Sequence, residues 1–331
     1  MKQEEIMVSI CCLVYNHEKY IQKCLDGFLM QKTDFKFEVL IHDDASTDRS
    51  QEIIREYEKK YPDIIKPIYQ KENQYSKGIK VSYEYQFPRA KGKYVAMCEG
   101  DDYWCNPNKL QRQVDIMEEN ADITICGHQV RCISEDGKQL KRLCTEEIKT
   151  TCALSSREAM RQLVHMYDGP FFQTSSFLMR DTLINEINNN MPSFMKNCKV
   201  GDYPMLLLGI AHGNIYYLDE EMSCYRLDSV ESFTKKMNKN IEIRYDVIKK
   251  NIETYQLYNE YTKLQFADLI NERICKYELH LYQGQRNYKQ LSKKKFSKYL
   301  TKKYILYCKI MSVCPVFGWV EKLYIKLHFR D

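Results

Sequence analysis

The chain reads as an α/β protein: a largely parallel sheet with helices packed on both faces, followed by a helical extension. Three observations predict this. Strand-like and helix-like segments alternate through the first half. The first strand-like run is apolar throughout, as a strand covered on both faces is. From about Lys235 onward the pattern is nearly all helical and polar.

The elements follow in order. Val8–Tyr15 is a continuous apolar run and predicts the first strand. Ile21, Cys24, Leu25, Phe28 and Leu29 then recur at helical spacing. Glu38–Ile41 predicts a second strand, ending at His42-Asp43-Asp44, and Ile53, Ile54 and Tyr57 mark a second amphipathic helix closed near Pro62. Ile64–Tyr69 and Tyr94–Cys98 read as strands joined by a helical connection. A helix from about Asn106 to Asn120 precedes a strand over Ile123–Ile133. Residues 134–153 are polar and turn-like. Ser155 with Glu158 forms a capping box that opens another helix. A strand over Ser175–Met179 leads to Gly201-Asp202 and a helix through Leu208. The expected division is residues 1–234 and a helical, basic extension over 235–331.

Composition narrows the class. With 331 residues, 44% hydrophobic and 29% charged, the chain can bury a full core and resembles an ordinary soluble protein. Its 26 tyrosines suit sugars, whose C–H faces pack on aromatic rings. None of the 14 cysteines is spaced as CxxC, and Cys11 and Cys12 should point to opposite faces of their strand. Lys2, Glu4 and Glu5 run directly into the first strand without a secretory h-region, so a reducing cytoplasm with free, mostly buried thiols is expected. The net charge of +5 is uneven. Arg286–Asp331 holds twelve Lys/Arg against two Asp/Glu, a net of +10, so the first 285 residues carry −5.

In an open α/β sheet, ligands bind beyond the carboxyl ends of the strands. The acidic clusters fall there: Asp43-Asp44-Ala45-Ser46-Thr47-Asp48, then Glu99-Gly100-Asp101-Asp102-Tyr103-Trp104, then Gly201-Asp202. Asp48 reads as a helix cap. The second cluster places three carboxylates within four residues on a glycine-containing loop, where they repel one another unless a cation or solvent compensates. Oxygen-only ligands suit Mg²⁺ or Mn²⁺.

These segments, with Ser9–Tyr15 and Asn16 before them and Gly92-Lys93-Tyr94-Val95-Ala96 between, resemble glycosyltransferase family two. The resemblance runs from about Val8 to Thr234, most firmly over the first 115 residues. It implies a Rossmann-like GT-A nucleotide-sugar fold and an inverting transfer from a UDP-sugar, aided by Mn²⁺ or Mg²⁺. The transferred group would be a hexosyl or N-acetylhexosaminyl unit, and the acceptor a glycan or lipid-linked saccharide in surface polysaccharide synthesis. By the same resemblance Asp43, or else Asp44, would bind the uracil imide, and Tyr15 and Asn16 would line base and ribose. Asp101 would be the chief metal ligand, with Glu99 nearer the ribose or sugar. Asp102 would be a second ligand or would only fix the loop, and Trp104 either a sugar platform or a core residue. Asp202 would be the catalytic base, and Arg226 would face the pyrophosphate. Glu99 stands where the family usually has aspartate, and Asp228 where many relatives carry a histidine, so no third metal contact is expected there.

Rival readings lack their motifs. A dinucleotide oxidoreductase needs G-x-G-x-x-G where this chain has Asn16-His17-Glu18, and a P-loop is absent. A sugar nucleotidyltransferase lacks its Gly-rich first turn. A non-catalytic nucleotide-sugar-binding protein remains the alternative of another class, and it would have no need of Asp202. No nucleic acid is expected as partner. Between Arg286 and Val320 there are nine Lys/Arg and no acid, and the run Ile310–Val320 is too short to span a bilayer. A basic segment beside an apolar aromatic one suits either an anionic membrane surface or a packed helix with a solvated lysine face. The first would place the protein peripherally on the inner face of the cell membrane.

Overall fold

The computed structural model describes residues 5–143, 148, 150–165, 172–198, 202–227 and 240–313. Its strands are β1 (Ile6–Val14), β2 (Lys36–Asp43), β3 (Ile65–Tyr69), β4 (Tyr94–Glu99), β5 (Tyr103–Trp104), β6 (Ile123–Ile133), β7 (Gln139–Leu143), β8 (Cys152–Leu154), β9 (Leu178–Arg180) and β10 (Asn214–Arg226). They join in one sheet ordered β3-β2-β1-β4-β9-β6-β10-β5, with β7 beside β6 and β8 beside β10. Strands β3, β2, β1 and β4 run parallel, as do β6 and β10, while β9 pairs antiparallel with both β4 and β6. This is the mixed, mostly parallel α/β sheet that the sequence predicts.

Both faces are covered, which explains why the central strands are apolar throughout. One face packs beneath α1 (Ile21–Leu29), α2 (Ser50–Lys60) and α3 (Lys109–Glu119), whose Cys24, Leu25, Phe28, Ile54, Leu110 and Met117 meet Ile10, Cys12, Ile41 and Ala96. The other packs beneath α4 (Ser156–His165), α5 (Asp181–Asn190), the short α6 (Ser193–Asn197) and α7 (Asp202–His212). Cys11 and Cys12 fall in opposite clusters, as the strand period of two requires. The twelve described cysteines are free thiols, and nine of them are buried.

The helices beyond residue 240 are α8 (Ile241–Tyr261), α9 (Ala267–Gly284), α10 (Tyr288–Leu291) and α11 (Lys302–Val313). Asn240 caps α8 by accepting the backbone N–H groups of Glu242 and Ile243. Tyr255, Tyr258, Phe266 and Ile270 join the same apolar cluster as α4–α7. Residues α10 and α11 form a separate small cluster of Leu291, Tyr307, Cys308 and Met311.

Several expected elements differ. The connection between β3 and β4 consists of short turns, Tyr75–Lys77, Ser82–Gln86 and Phe87–Arg89, rather than one helix. Ser175 and Ser176 lie in a 3-10 turn, so the strand expected at Ser175–Met179 begins at Leu178. The polar stretch 134–153 contains the edge strands β7 and β8. Asn214–Arg226, to which the sequence pattern assigned no strand, is a long central one.

Candidate functional site

Strand register builds the site. In the ladders Val14 lies opposite Asp43 and Leu13 opposite Glu99, so the acidic ends of β2 and β4 flank the end of β1. Backbone hydrogen bonds extend this past the strands: the Asp44 N–H donates to the Val14 carbonyl at 2.9 Å, and the Gly100 N–H to the Leu13 carbonyl at 2.8 Å. Gly100 sits where neighbours approach closely. A Cβ there would meet His17 Nδ1 at 2.8 Å and Val14 Cγ2 at 3.0 Å.

Tyr15 and Asn16 form the turn after β1. Asn16 and Ala45 adopt left-handed backbone, φ +55° and +63°, a region that asparagine enters more readily than most residues. Asn16 accepts the Thr47 N–H on its side-chain oxygen at 2.8 Å and donates its own N–H to Ser46 Oγ at 2.9 Å. Its amide therefore ties the two loops together. Asp48 accepts the N–H groups of Ser50 and Glu18 at 2.9 Å each and so clamps the same turn, while the N-cap position of α2 falls one residue later, at Arg49. Burial works against this carboxylate, yet these hydrogen bonds hold its pKa below the usual range. Tyr15 is left exposed at 38%.

The two aspartates of the first cluster separate by environment. Asp44 accepts the backbone N–H groups of Gln74 and Tyr75 at 2.7 and 3.0 Å, one on each oxygen. It therefore builds the loop after β3. Asp43 is fully buried, and its Oδ1 accepts the Ser46 N–H at 3.0 Å and the Gln51 side-chain amide at 2.6 Å. Its Oδ2 is buried with no hydrogen-bond partner among the described residues. A lone buried carboxylate oxygen is costly and calls for a donor. His17 Nδ1 is buried and unpartnered in the same way.

The second cluster also divides. Asp102 is 3% exposed and accepts the Arg226 N–H at 2.8 Å. Burial, then the charges of Asp101 and Glu99, push its carboxyl well above the ordinary range. Through its hydrogen bond with Arg226 it ties the loop to β10. Asp101 is half-buried. Glu99 is partly buried at the end of β4.

Trp104 and Arg226 both contact protein groups. Trp104 is 1% exposed, so no ring face is open to a sugar. Its indole N–H donates to the Ser175 carbonyl at 3.0 Å, Phe28 packs edge-on, and the Lys109 ammonium sits 3.9 Å from the ring centroid. Arg226, expected to face a pyrophosphate, is turned to the protein. Its Nε donates to the Asp101 carbonyl at 3.0 Å, its Nη1 donates to the carbonyls of Ser134 and Glu135, and its guanidinium stacks 4.2 Å over Tyr20. Arg226 and Asp102 thus bind β10 to the acidic loop from both directions.

Asp202 opens α7, while Gly201, Asp228 and the Asp202 side chain lie outside the described residues. Sequence reasoning missed Lys109, fully buried and donating to Gln113 Oε1 at 2.9 Å. The period of Leu110, Val114 and Met117 carried the signal, because Lys109 and Gln113 share their face of α3.

For a divalent cation the donor chemistry is suitable: hard carboxylate oxygens on a strand-end loop, with repulsion that a cation would relieve. Among the described residues no three His, Cys, Asp or Glu side chains gather into a protein-only metal site. Such a cation would therefore complete its shell from ligand oxygens and water, as Mg²⁺ and Mn²⁺ sites commonly do.

A curled, mostly parallel sheet with helices around it and acidic loops at the strand ends is the build of GT-A glycosyltransferases. Solved structures share it: Staphylococcus aureus TarS 1–349 in complex with UDP superposes with a TM-score of 0.56 at 17% identity, over 90% of this chain and 76% of that one. The sequence model for glycosyl transferase family 2 matches residues 9–187, and the chain belongs to that family. Uncharacterized protein Rv1520 of Mycobacterium tuberculosis is 45% identical over 130 residues, 39% of this chain and 37% of its own length. The putative teichuronic acid biosynthesis glycosyltransferase TuaG of Bacillus subtilis is 31% identical over 137 residues, 41% of this chain and 51% of its own. The matches thus span between about a third and a half of these relatives' lengths.

Proposed function

We propose that the chain transfers a sugar from a UDP-sugar to a hydroxyl of a glycan or lipid-linked acceptor, with inversion at the anomeric carbon, in surface polysaccharide synthesis. The observation that carries this reading is the buried, unpartnered Oδ2 of Asp43 at the end of β2. A uracil imide N–H is the donor that this oxygen lacks. The exposed ring of Tyr15 would pack on the base, while Asn16 holds the turn that lines the ribose. UDP in a structure of the same fold, and the polysaccharide role in the name of TuaG, are consistent with this reading.

The chemistry then assigns the remaining groups. Asp101 would hold a Mg²⁺ or Mn²⁺ ion, which supplies neutralisation of the charge that builds on the leaving diphosphate. Glu99 would orient the ribose or the sugar. Asp202 would accept the acceptor hydroxyl's proton as its oxygen bonds to the anomeric carbon and the bond to UDP breaks. One displacement inverts the centre. Arg226 and Asp102 act as positioning residues for Asp101.

Two expected outcomes test the proposal. UDP should bind in calorimetry with Mn²⁺, and both EDTA and Asp101→Ala should sharply weaken it. Equal affinity with and without the chelator would remove the metal role. Asp202→Asn should leave nucleotide binding near normal while transfer falls by roughly a hundredfold, the usual scale of general-base loss. Unchanged turnover would remove Asp202 from the mechanism, whereas nucleotide binding without any transfer by the parent chain would return the binding-protein reading. A panel of UDP-, GDP- and dTDP-sugars scored for metal-dependent hydrolysis fixes the donor.

A further inference from the structure

Helix α11 is apolar on two opposite sides, and among the described residues only one of them is packed. Tyr307, Cys308 and Met311 are buried against α10. At 3.6 residues per turn, Leu306, Ile310 and Val313 fall within a sector of about 60° on the other side. They are 60%, 46% and 84% exposed. Single exposed apolar residues need no explanation, but a stripe on one helix face does. Lys302, Lys303 and Lys309 are exposed and border that stripe. Across Arg286–Val313 there are nine Lys/Arg and no Asp or Glu. Lys295 and Lys298 are paired with Glu278 and Glu272 of α9.

We propose that the outer face of α11 docks on an anionic membrane surface, with Leu306, Ile310 and Val313 entering the headgroup boundary and Lys302, Lys303 and Lys309 meeting lipid phosphates. The helix is 12 residues, about 18 Å at 1.5 Å per residue, so it would lie in the plane of the surface. Among the described residues no helix is long and apolar enough to cross a membrane. A second copy of the chain fits less well, because paired stripes would bring like-charged lysine borders together. The inference stands apart from the sugar-transfer reading and uses none of its residues.

The test uses the full chain with phosphatidylcholine vesicles, with and without phosphatidylserine. Co-sedimentation should need the anionic lipid and weaken at high salt, because the attraction is screened. Lys302, Lys303 and Lys309 changed together to Gln should cut partitioning by about a hundredfold, given roughly 1 kcal/mol for each lysine near the surface. Leu306→Glu with Ile310→Glu should abolish it, with a circular-dichroism melt confirming the fold. No binding at low salt, equal binding to neutral vesicles, or partitioning indifferent to the lysine variant would each overturn the proposal. So would a concentration-dependent dimer that the glutamate variant dissolves while vesicles are ignored, since the face would then join two copies.

Discussion

Lys109 is an ammonium where the period of α3 calls for an apolar side chain. Burial lowers its pKa from 10.5 to about 7, and the Trp104 ring and Gln113 oxygen compensate only in part. The pH dependence follows. Below about pH 7 both folded and unfolded chains hold the proton, and the cost of burying the charge is fully present. Between about 7 and 10.5 the unfolded chain keeps a proton that the folded chain has lost, so stability rises with pH. At 1.36 kcal/mol per unit the whole effect is on the order of a few kcal/mol. Lys109→Met keeps the volume and removes the charge. It should be at least as stable as the parent at pH 7, and its advantage should shrink as pH approaches 10. Urea unfolding of both proteins at several pH values measures this, and parallel curves would contradict it.

At the scale of elements, helix α1 meets the acidic loop through one glycine. A Cβ on Gly27 would lie 2.7 Å from the Trp104 carbonyl oxygen and 3.0 Å from its nitrogen, both backbone atoms that cannot turn aside. Gln31 then closes the contact, donating to the carbonyls of Gly27 and Asn106 and accepting the Leu110 N–H. Gly27→Ala should push α1 from β5 and cost about 1–3 kcal/mol, the usual range for overpacking. Because the loop carrying Asp101 ends at Trp104, UDP affinity should fall with stability. Thermal unfolding and calorimetry on the same variant check both, and an unaltered melting temperature would show that α1 has room to spare. Legibility in the sequence divides along the same physics. β1, β2, β4 and β6 were readable because both faces of each are buried. β10 was hidden because Asp219-Glu220-Glu221 interrupts it: the ladder to β6 shifts between Leu218 and Ser223, so the acidic stretch bulges out before pairing resumes. β7 is a polar edge strand and β8 has only three residues, so both look like loop. The acidic clusters were legible from their position after strands. The division of work within them was not, because Asp43 and Asp44, or Asp101 and Asp102, differ only in which backbone N–H groups reach them.

For the whole molecule, the question is what the helices after the sheet contribute. Tyr255, Tyr258, Phe266 and Ile270 are nearly or fully buried in the cluster that α4–α7 share with the sheet. Tyr258 donates its hydroxyl to the Leu207 carbonyl of α7 at 2.9 Å, and its ring meets Phe194 of α6 edge-on at 5.1 Å. Helix α8 therefore covers the helix that begins at Asp202. We propose that the division at residue 234 separates the chemistry from its buttress rather than one core from another. At roughly 1.5–3 kcal/mol for each large apolar side chain, uncovering these four residues would cost on the order of 10 kcal/mol. That matches the full stability of a typical domain. A chain ending at residue 234 should therefore lose cooperative unfolding and UDP binding together. Among the described residues, a chain ending at Gln285 loses the small cluster of Leu291, Tyr307, Cys308 and Met311 and the buried Phe296. It should keep a sharp transition and near-normal UDP affinity, while vesicle binding disappears with α11. Chemical unfolding, calorimetry and co-sedimentation on the two truncations separate these roles. A stable, UDP-binding chain of 234 residues would show that the sheet and α1–α7 suffice, and the buttress role would fall.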